Sequence, residues 1–155
     1  MNKEEIVVQK LIDKEYHISC AESCTGGMLA SRIVNVPNAS MVLDASIVTY
    51  ANAAKIKYLG VNPVTIDTYG VVSEQVAGEM AQGIAKEQQA QVGIGISGIA
   101  GPSGGTPAKP VGMVCFGIYL AGRLLTYTMQ FGNIGRLAVR EKSVDFVFDK
   151  LIELL

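Results

Sequence analysis

Short apolar runs alternate with amphipathic helical stripes along the whole of this chain, and that alternation leaves few architectures open. Residues 3 to 15 read as a helix, with Ile6, Val7, Lys10, Leu11 and Lys14 at the 3.6 period. Tyr16 to Cys20 follows as a buried strand, Ala21 to Gly27 as a turn, and Met28 to Val34 as a helix that Thr25 is placed to cap. Pro37-Asn38 breaks the chain. Val42 to Tyr50 is a strand running into a helix from Ala51 to Leu59, closed by Gly60, and Pro63 to Tyr69 is another short helix. Ser73 caps a longer helix through Gln89, in which Val76, Met80 and Ile84 share a side with Ala77, Ala81 and Ala85. Gln91 to Ser97 is a strand that delivers the chain into Gly98 to Pro110, a segment with four glycines and three prolines. A loop so long and broken serves best as a binding segment. Val111 to Ala121 and Arg123 to Phe131 form an antiparallel hairpin joined at Ala121-Gly122, and Arg136 to Leu155 closes the chain as a helix. The pattern describes an α/β sandwich with a mixed sheet.

A chain of 155 residues suits one domain, spanning 1–155, and 49% apolar residues supply its core. Its formal charge is −1 with no run of basic residues, so the long-range attraction that nucleic acid requires is missing, and any phosphate it binds belongs to a small molecule. Met1 to Lys10 is neither a signal peptide nor a lipidation motif, and no apolar stretch reaches the ~18 residues of a membrane span. The expected compartment is the cytoplasm, with no membrane partner. Cys20, Cys24 and Cys115 are an odd set in a domain large enough to stand without disulfides. With His17 the only histidine, they do not make a zinc site either.

The single histidine also closes most nucleophile schemes, because a Ser-His-Asp triad would have to recruit His17 from in or just before a strand. A hydrolase built on this chain needs another base, and a lysine serves once burial or a nearby cation lowers its pKa. Ser23 is the best placed nucleophile, since strand-to-helix junctions lie at the carboxyl ends of strands, where ligand crevices form. The N–H groups of Thr25, Gly26 and Gly27 are then available to an oxyanion or a phosphate. The alternative is that Ser23 and Thr25 cap the helix and the glycines permit close packing. Gly93-Ile94-Gly95-Ile96-Ser97-Gly98 matches G-x-G-x-x-G but lies inside a strand and opens no helix, so it reads as small residues packed under a helix. Gly104 to Lys109 is not a phosphate-binding P-loop, having neither Gly-Lys-Ser/Thr adjacency nor a following helix.

Five motifs in order carry a resemblance: Ala21-Glu22-Ser23-Cys24-Thr25-Gly26-Gly27, Val48-Thr49-Tyr50-Ala51-Asn52-Ala53-Ala54-Lys55, Gly70-Val71-Val72-Ser73, Ser97-Gly98-Ile99-Ala100-Gly101-Pro102, and Lys109-Pro110-Val111-Gly112. Together they resemble the CinA C-terminal domain family, whose characterised activity is nicotinamide-nucleotide amidase, from about residue 5 onward. The resemblance implies a three-layer α/β/α fold with a mixed, mostly parallel sheet and a C-terminal antiparallel hairpin. It implies a homodimer or higher homo-oligomer, and hydrolysis of nicotinamide mononucleotide to nicotinate mononucleotide and ammonia without metal or cofactor. It also implies Ser23 as nucleophile, Lys55 as base and Tyr50 beside them. Ser97 falls on a hydroxyl position heading the Gly-rich loop, and Arg136 on an arginine near the start of the last helix. Phosphate binding is expected from the loop, through Gly98, Gly101, Gly104, Gly105 and Thr106, with Arg136 as counter-charge. Without the family pattern, Lys55 reads as a solvated helix lysine.

The chain departs from the family where Ala45, Ser46, Ala51 and Ala53 stand, which removes no proposed catalytic group. Phe131-Gly132-Asn133-Ile134-Gly135-Arg136 replaces a Phe-Pro-Gly-Asp-Arg run and is one residue longer, which shifts the register of Arg136. Two other readings compete with the amidase: a pyridine-nucleotide-binding or regulatory domain without turnover, and a structural scaffold with no pocket uniting Ser23, Lys55 and the loop.

Overall fold

The computed structural model describes residues 1–155. Helix α1 spans Lys3–Lys14 and begins in a capping box, in which the Asn2 side chain accepts the Glu5 N–H at 2.9 Å and Glu5 accepts the Asn2 N–H at 3.1 Å. Strand β1 spans Ile18–Glu22 and leads through a tight turn into α2, Met28–Val34. A 3₁₀ turn at Ala39–Met41, which no sequence signal marked, precedes β2, Leu43–Val48. Then come α3 (Asn52–Leu59), α4 (Pro63–Tyr69), α5 (Glu74–Gln88), β3 (Val92–Gly98), the hairpin β4 (Met113–Leu120) and β5 (Arg123–Gln130), and α6 (Arg136–Leu154).

The element order matches the reading of the sequence, and the consequential difference is at β1. Ala21 and Glu22, expected in the turn, pair as strand opposite Ile47 and Val48. The strand therefore runs up to Ser23.

The five strands lie in the order β2-β1-β3-β4-β5. Pairing is parallel from β2 through β1 to β3 and antiparallel from β3 through β4 to β5, so only β4 runs against the other four. This is the expected mixed sheet. Helices α1, α2 and α6 cover one face, where Leu11, Leu29, Ile33, Val147 and Phe148 pack on Ile18, Ile94, Ile96 and Phe116. On the other face α5 meets the sheet through Val76, Met80 and Ile84, with Leu59 from the end of α3 packed beside them.

The glycines that imitate a dinucleotide fingerprint let α5 lie on bare sheet. A Cβ at Gly95 would stand 2.1 Å from the Ala77 carbonyl oxygen, and one at Gly93 would stand 2.3 Å from that of Ala81. Gly117 of β4 meets the same Ala77 carbonyl at 2.4 Å. Helix backbone thus replaces side chains as the filling of this face, and the strand cannot gain a methyl without moving the helix. Gly95→Ala is expected to lower the unfolding free energy by about 1–3 kcal/mol, as for other overpacked cores. Urea unfolding checks this, and a variant as stable as the parent would mean that α5 stands further from the sheet.

Candidate active site

The site forms where three strands end. β1 delivers Ser23, the residue after its last paired position, and β2 delivers Thr49 and Tyr50. β3 ends in Ser97 and Gly98, which open the long loop. Helix α3 then starts at Asn52, so Lys55 lies on its first turn and points back toward the strand ends.

That return path buries the amine. Lys55 is 1% exposed, although it belongs to a helix whose next lysine, Lys57, is in solvent. Its Nζ donates to the Thr49 carbonyl at 2.6 Å and lies in hydrogen-bond contact with Ser23 Oγ at 3.2 Å. No carboxylate pairs with it. Burial without a counter-charge disfavours the ammonium, and the Lys55 pKa is lowered for that reason, opposed only by a smaller contribution from Cys24. The environment thus favours a free amine beside a serine hydroxyl.

Cys24 is the other nucleophile within reach, and burial rules against it. Its thiol is pushed up to about 11 by desolvation, which keeps it protonated in neutral solution.

A cavity of about 290 Å³ opens over this pair. Of the residues expected at the site, Ser23, Tyr50, Lys55, Ser97, Gly98, Gly101, Gly104 and Arg136 line it. Arg136 occupies the first position of α6, where its Nη1 donates to the Gly101 carbonyl at 2.9 Å and its Nη2 to the Tyr50 hydroxyl at 2.8 Å. The longer segment before it therefore still delivers the guanidinium to the cavity. Ser97 Oγ donates to the Val71 carbonyl at 2.8 Å, tying the loop to the 70–72 segment. Lys109 holds the same segment, its Nζ donating to the Val72 carbonyl at 2.7 Å and to that of Tyr69.

Thr25, Gly26, Gly27, Gly105 and Thr106 are not on the cavity wall. The Thr25 hydroxyl donates to Glu22 at 2.7 Å, the Gly27 N–H to the same carboxylate at 3.2 Å, and the Gly26 N–H to the Ser23 carbonyl at 3.0 Å. Thr25 is thus not the cap of α2, and the amides of Gly26 and Gly27 are not offered to a ligand. Thr106 is folded into a local turn, its Oγ1 accepting the Lys109 N–H at 3.0 Å.

Glu22 explains the difference. It is fully buried, and its Oε1 also accepts the Leu29 N–H at 3.0 Å, while its Oε2 accepts the Ala30 N–H at 3.1 Å and the Ser46 hydroxyl at 3.0 Å. The chain supplies its own carboxylate to the start of α2, where sequence reading looked for a ligand's anion. An acidic residue a few positions before a helix was the available signal. Arg140, one helical turn beyond Arg136, was also missed, and donates to the Cys24 carbonyl at 2.9 Å and the Thr25 carbonyl at 3.0 Å. The backbone N–H of Cys24 makes no hydrogen bond within the chain.

No three His, Cys, Asp or Glu side chains gather where they could hold a metal ion, and no helix is long and apolar enough to cross a membrane. His17, the single histidine, pairs with Asp44 at 2.7 Å and does not line the cavity.

Fold and site together define an α/β/α domain with a buried serine–lysine contact at the carboxyl ends of its parallel strands. The chain belongs to the CinA C-terminal domain family, whose model matches residues 1–155. It is 53% identical over 148 residues to a putative competence-damage inducible protein of Alkaliphilus metalliredigens, covering 96% of this chain and 36% of that one. A CinA-like protein of Kosmotoga olearia is 48% identical over 146 residues, covering 94% and 35%. The chain thus spans little more than a third of the length of these curated relatives. Among solved structures, a CinA superfamily protein of Escherichia coli superposes with a TM-score of 0.95 at 36% identity, covering 99% of this chain and 89% of that one. A competence/damage inducible protein of Agrobacterium tumefaciens gives 0.91 at 36% identity, covering 99% and 96%.

The buried amine makes a prediction about stability. Because the folded chain holds the Lys55 pKa below the ordinary 10.5, the unfolded chain binds more protons between the two values, so this residue makes stability rise with pH across that window. Lys55→Met removes the titration. Urea unfolding at a series of pH values should show the parent gaining on the variant as pH rises, whereas parallel curves would mean that the amine titrates as it does in solvent.

Proposed function

We propose that this domain is an amidohydrolase acting on nicotinamide mononucleotide, with Ser23 as nucleophile and Lys55 as the base. The observation that carries the reading is the Lys55 amine, buried without a counter-charge and 3.2 Å from the Ser23 hydroxyl. An unpaired buried lysine beside a buried serine would be a liability in a scaffold, whereas a Ser–Lys hydrolase requires one.

Neutral Lys55 takes the Ser23 proton as Oγ attacks the carboxamide carbon. The carbonyl electron pair moves to oxygen, and the free N–H of Cys24 is the donor best placed to receive that charge. The intermediate collapses, the C–N bond breaks, and the proton on Lys55 passes to the leaving nitrogen, which departs as ammonia. Water then attacks the ester carbon while Lys55 takes its proton, and the serine recovers a proton as the acid is released. The positive pyridinium ring makes the substrate carboxamide more electrophilic, which suits a site with few groups.

Arg136 is the one guanidinium on the cavity wall and meets the nucleotide phosphate in this reading, together with amides of the Ala100–Gly104 segment that make no hydrogen bond within the chain. Thr25, Gly26, Gly27, Gly105 and Thr106 have no part in it. Tyr50, whose hydroxyl accepts from Arg136, lines the same cavity as Ser23 and Lys55. The homo-oligomer remains what the family resemblance implies.

Ammonia release from nicotinamide mononucleotide tests the reading. Ser23→Ala and Lys55→Ala are expected to lower kcat by about 10³-fold or more, as when other nucleophile and base pairs are broken. In the parent, kcat/KM should rise with pH as Lys55 loses its proton and level off below the ordinary lysine value. Saturable binding with no ammonia release would instead make the domain a nucleotide-binding module.

A further inference from the structure

The turn that carries Ser23 is held from two sides by groups that do not touch the cavity. From the sheet side, the Glu22 side chain accepts five hydrogen bonds and donates none. Its partners come from the turn (Thr25, Gly27), the first residues of α2 (Leu29, Ala30) and the neighbouring strand (Ser46). From the α6 side, the Arg140 guanidinium donates from Nε to the Cys24 carbonyl and from Nη2 to the Thr25 carbonyl. A Cβ at Gly26 would stand 3.3 Å from Nη2, so the arginine lies close against the turn.

These contacts fix the direction of the peptides around the nucleophile. The Ser23 carbonyl accepts the Gly26 N–H, and because the peptide unit is planar and trans, the Cys24 N–H of that same unit points the opposite way. Rotating this peptide would break the Gly26 bond, and the next two peptides of the turn are held by Arg140 through the Cys24 and Thr25 carbonyls. The contacts of Glu22 and Arg140 thus surround the peptide that bears the unbonded amide.

We propose that Glu22 and Arg140 are positioning residues for the nucleophile, a two-sided clamp that holds Ser23 on Lys55 and aims the Cys24 N–H at the reacting carbonyl. The inference rests on the reading of Ser23 as nucleophile. It does not depend on which amide is the substrate.

Two features separate the clamp from general structural support. Glu22 accepts on both oxygens, so an amide in its place turns an NH₂ toward one group of donors; Glu22→Gln keeps the size and loses the function. Arg140 holds carbonyls, not a carboxylate, so Arg140→Ala leaves no buried ion unpaired.

The test measures the reactivity of Ser23 directly, as the rate at which a fluorophosphonate probe labels it, beside kcat and KM for ammonia release. Arg140→Ala and Glu22→Gln are expected to slow labelling and lower kcat by about 10- to 100-fold, the size of effect that ångström-scale misplacement produces, with KM little changed. Millimolar guanidinium should restore part of the rate to Arg140→Ala. Arg32→Ala serves as the control. It breaks bonds to Glu4 and Asp145 among α1, α2 and α6, away from Ser23, and should lower Tm without slowing labelling. Labelling of both clamp variants at the parental rate would overturn the clamp while leaving the nucleophile in place. A rate loss in Arg32→Ala equal to theirs would reduce the clamp to ordinary stability and overturn it as well. A parent that is not labelled at Ser23 would overturn the nucleophile and the clamp together.

Discussion

Parallel pairing of β2, β1 and β3 is the constraint from which the site follows. Parallel neighbours end on the same edge of a sheet, so the residues after Glu22, Val48 and Gly98 converge although they are far apart in sequence. The first brings a hydroxyl, the second a carbonyl and then a lysine, and the third a glycine-rich loop. An antiparallel arrangement of the same strands would have sent Ser23 and Lys55 to opposite edges. The strand β4, which does run the other way, returns the chain from the loop and pairs antiparallel with β3.

Besides the Cys24 thiol, a carboxyl and an amine are buried at this edge, and the fold treats these two in opposite ways. Glu22 is surrounded by five donors, which supply the solvation that water would otherwise give. Lys55 has a single strong acceptor, the Thr49 carbonyl, and no carboxylate, so burial lowers its pKa. The same low-dielectric setting thus keeps a rigid acceptor next to Ser23 and lowers the pKa of the amine across from it. Satisfying the amine with an acid would have made an ion pair and held the ammonium form.

The architecture was legible because periodicity reports which faces are buried, and it survived in every helix and strand from α1 to α6. The glycines of Gly93-x-Gly95 were legible as packing, because their place inside a strand left no helix for a phosphate to cap, and α5 does lie on them. Hydrogen-bond direction was not legible. Thr25, Gly26 and Gly27 have the composition of an anion site, but a side chain three residues before Thr25 folds into it, and composition cannot say whether a turn's amides face a ligand or the chain's own carboxylate. Lys55 and Lys57 are equally good surface lysines by sequence, two residues apart on one helix. Only the packing of α3 against the strand ends decides that one is buried and the other solvated.

By itself, the sequence determined the order of elements, the strand-to-helix placement of Ser23 and the family pattern that singled out Lys55, since each is written in local periodicity or in residues close together along the chain. The tertiary structure alone decided that Ser23 meets Lys55 without a counter-charge, that Glu22 fills the start of α2, and that Arg136 and Arg140 divide their work between cavity and turn. The serine–lysine and arginine contacts reach across 32 to 116 residues of chain and those of Glu22 across only 3 to 24, but in every case a side chain's pKa or partner is fixed by what surrounds it in space.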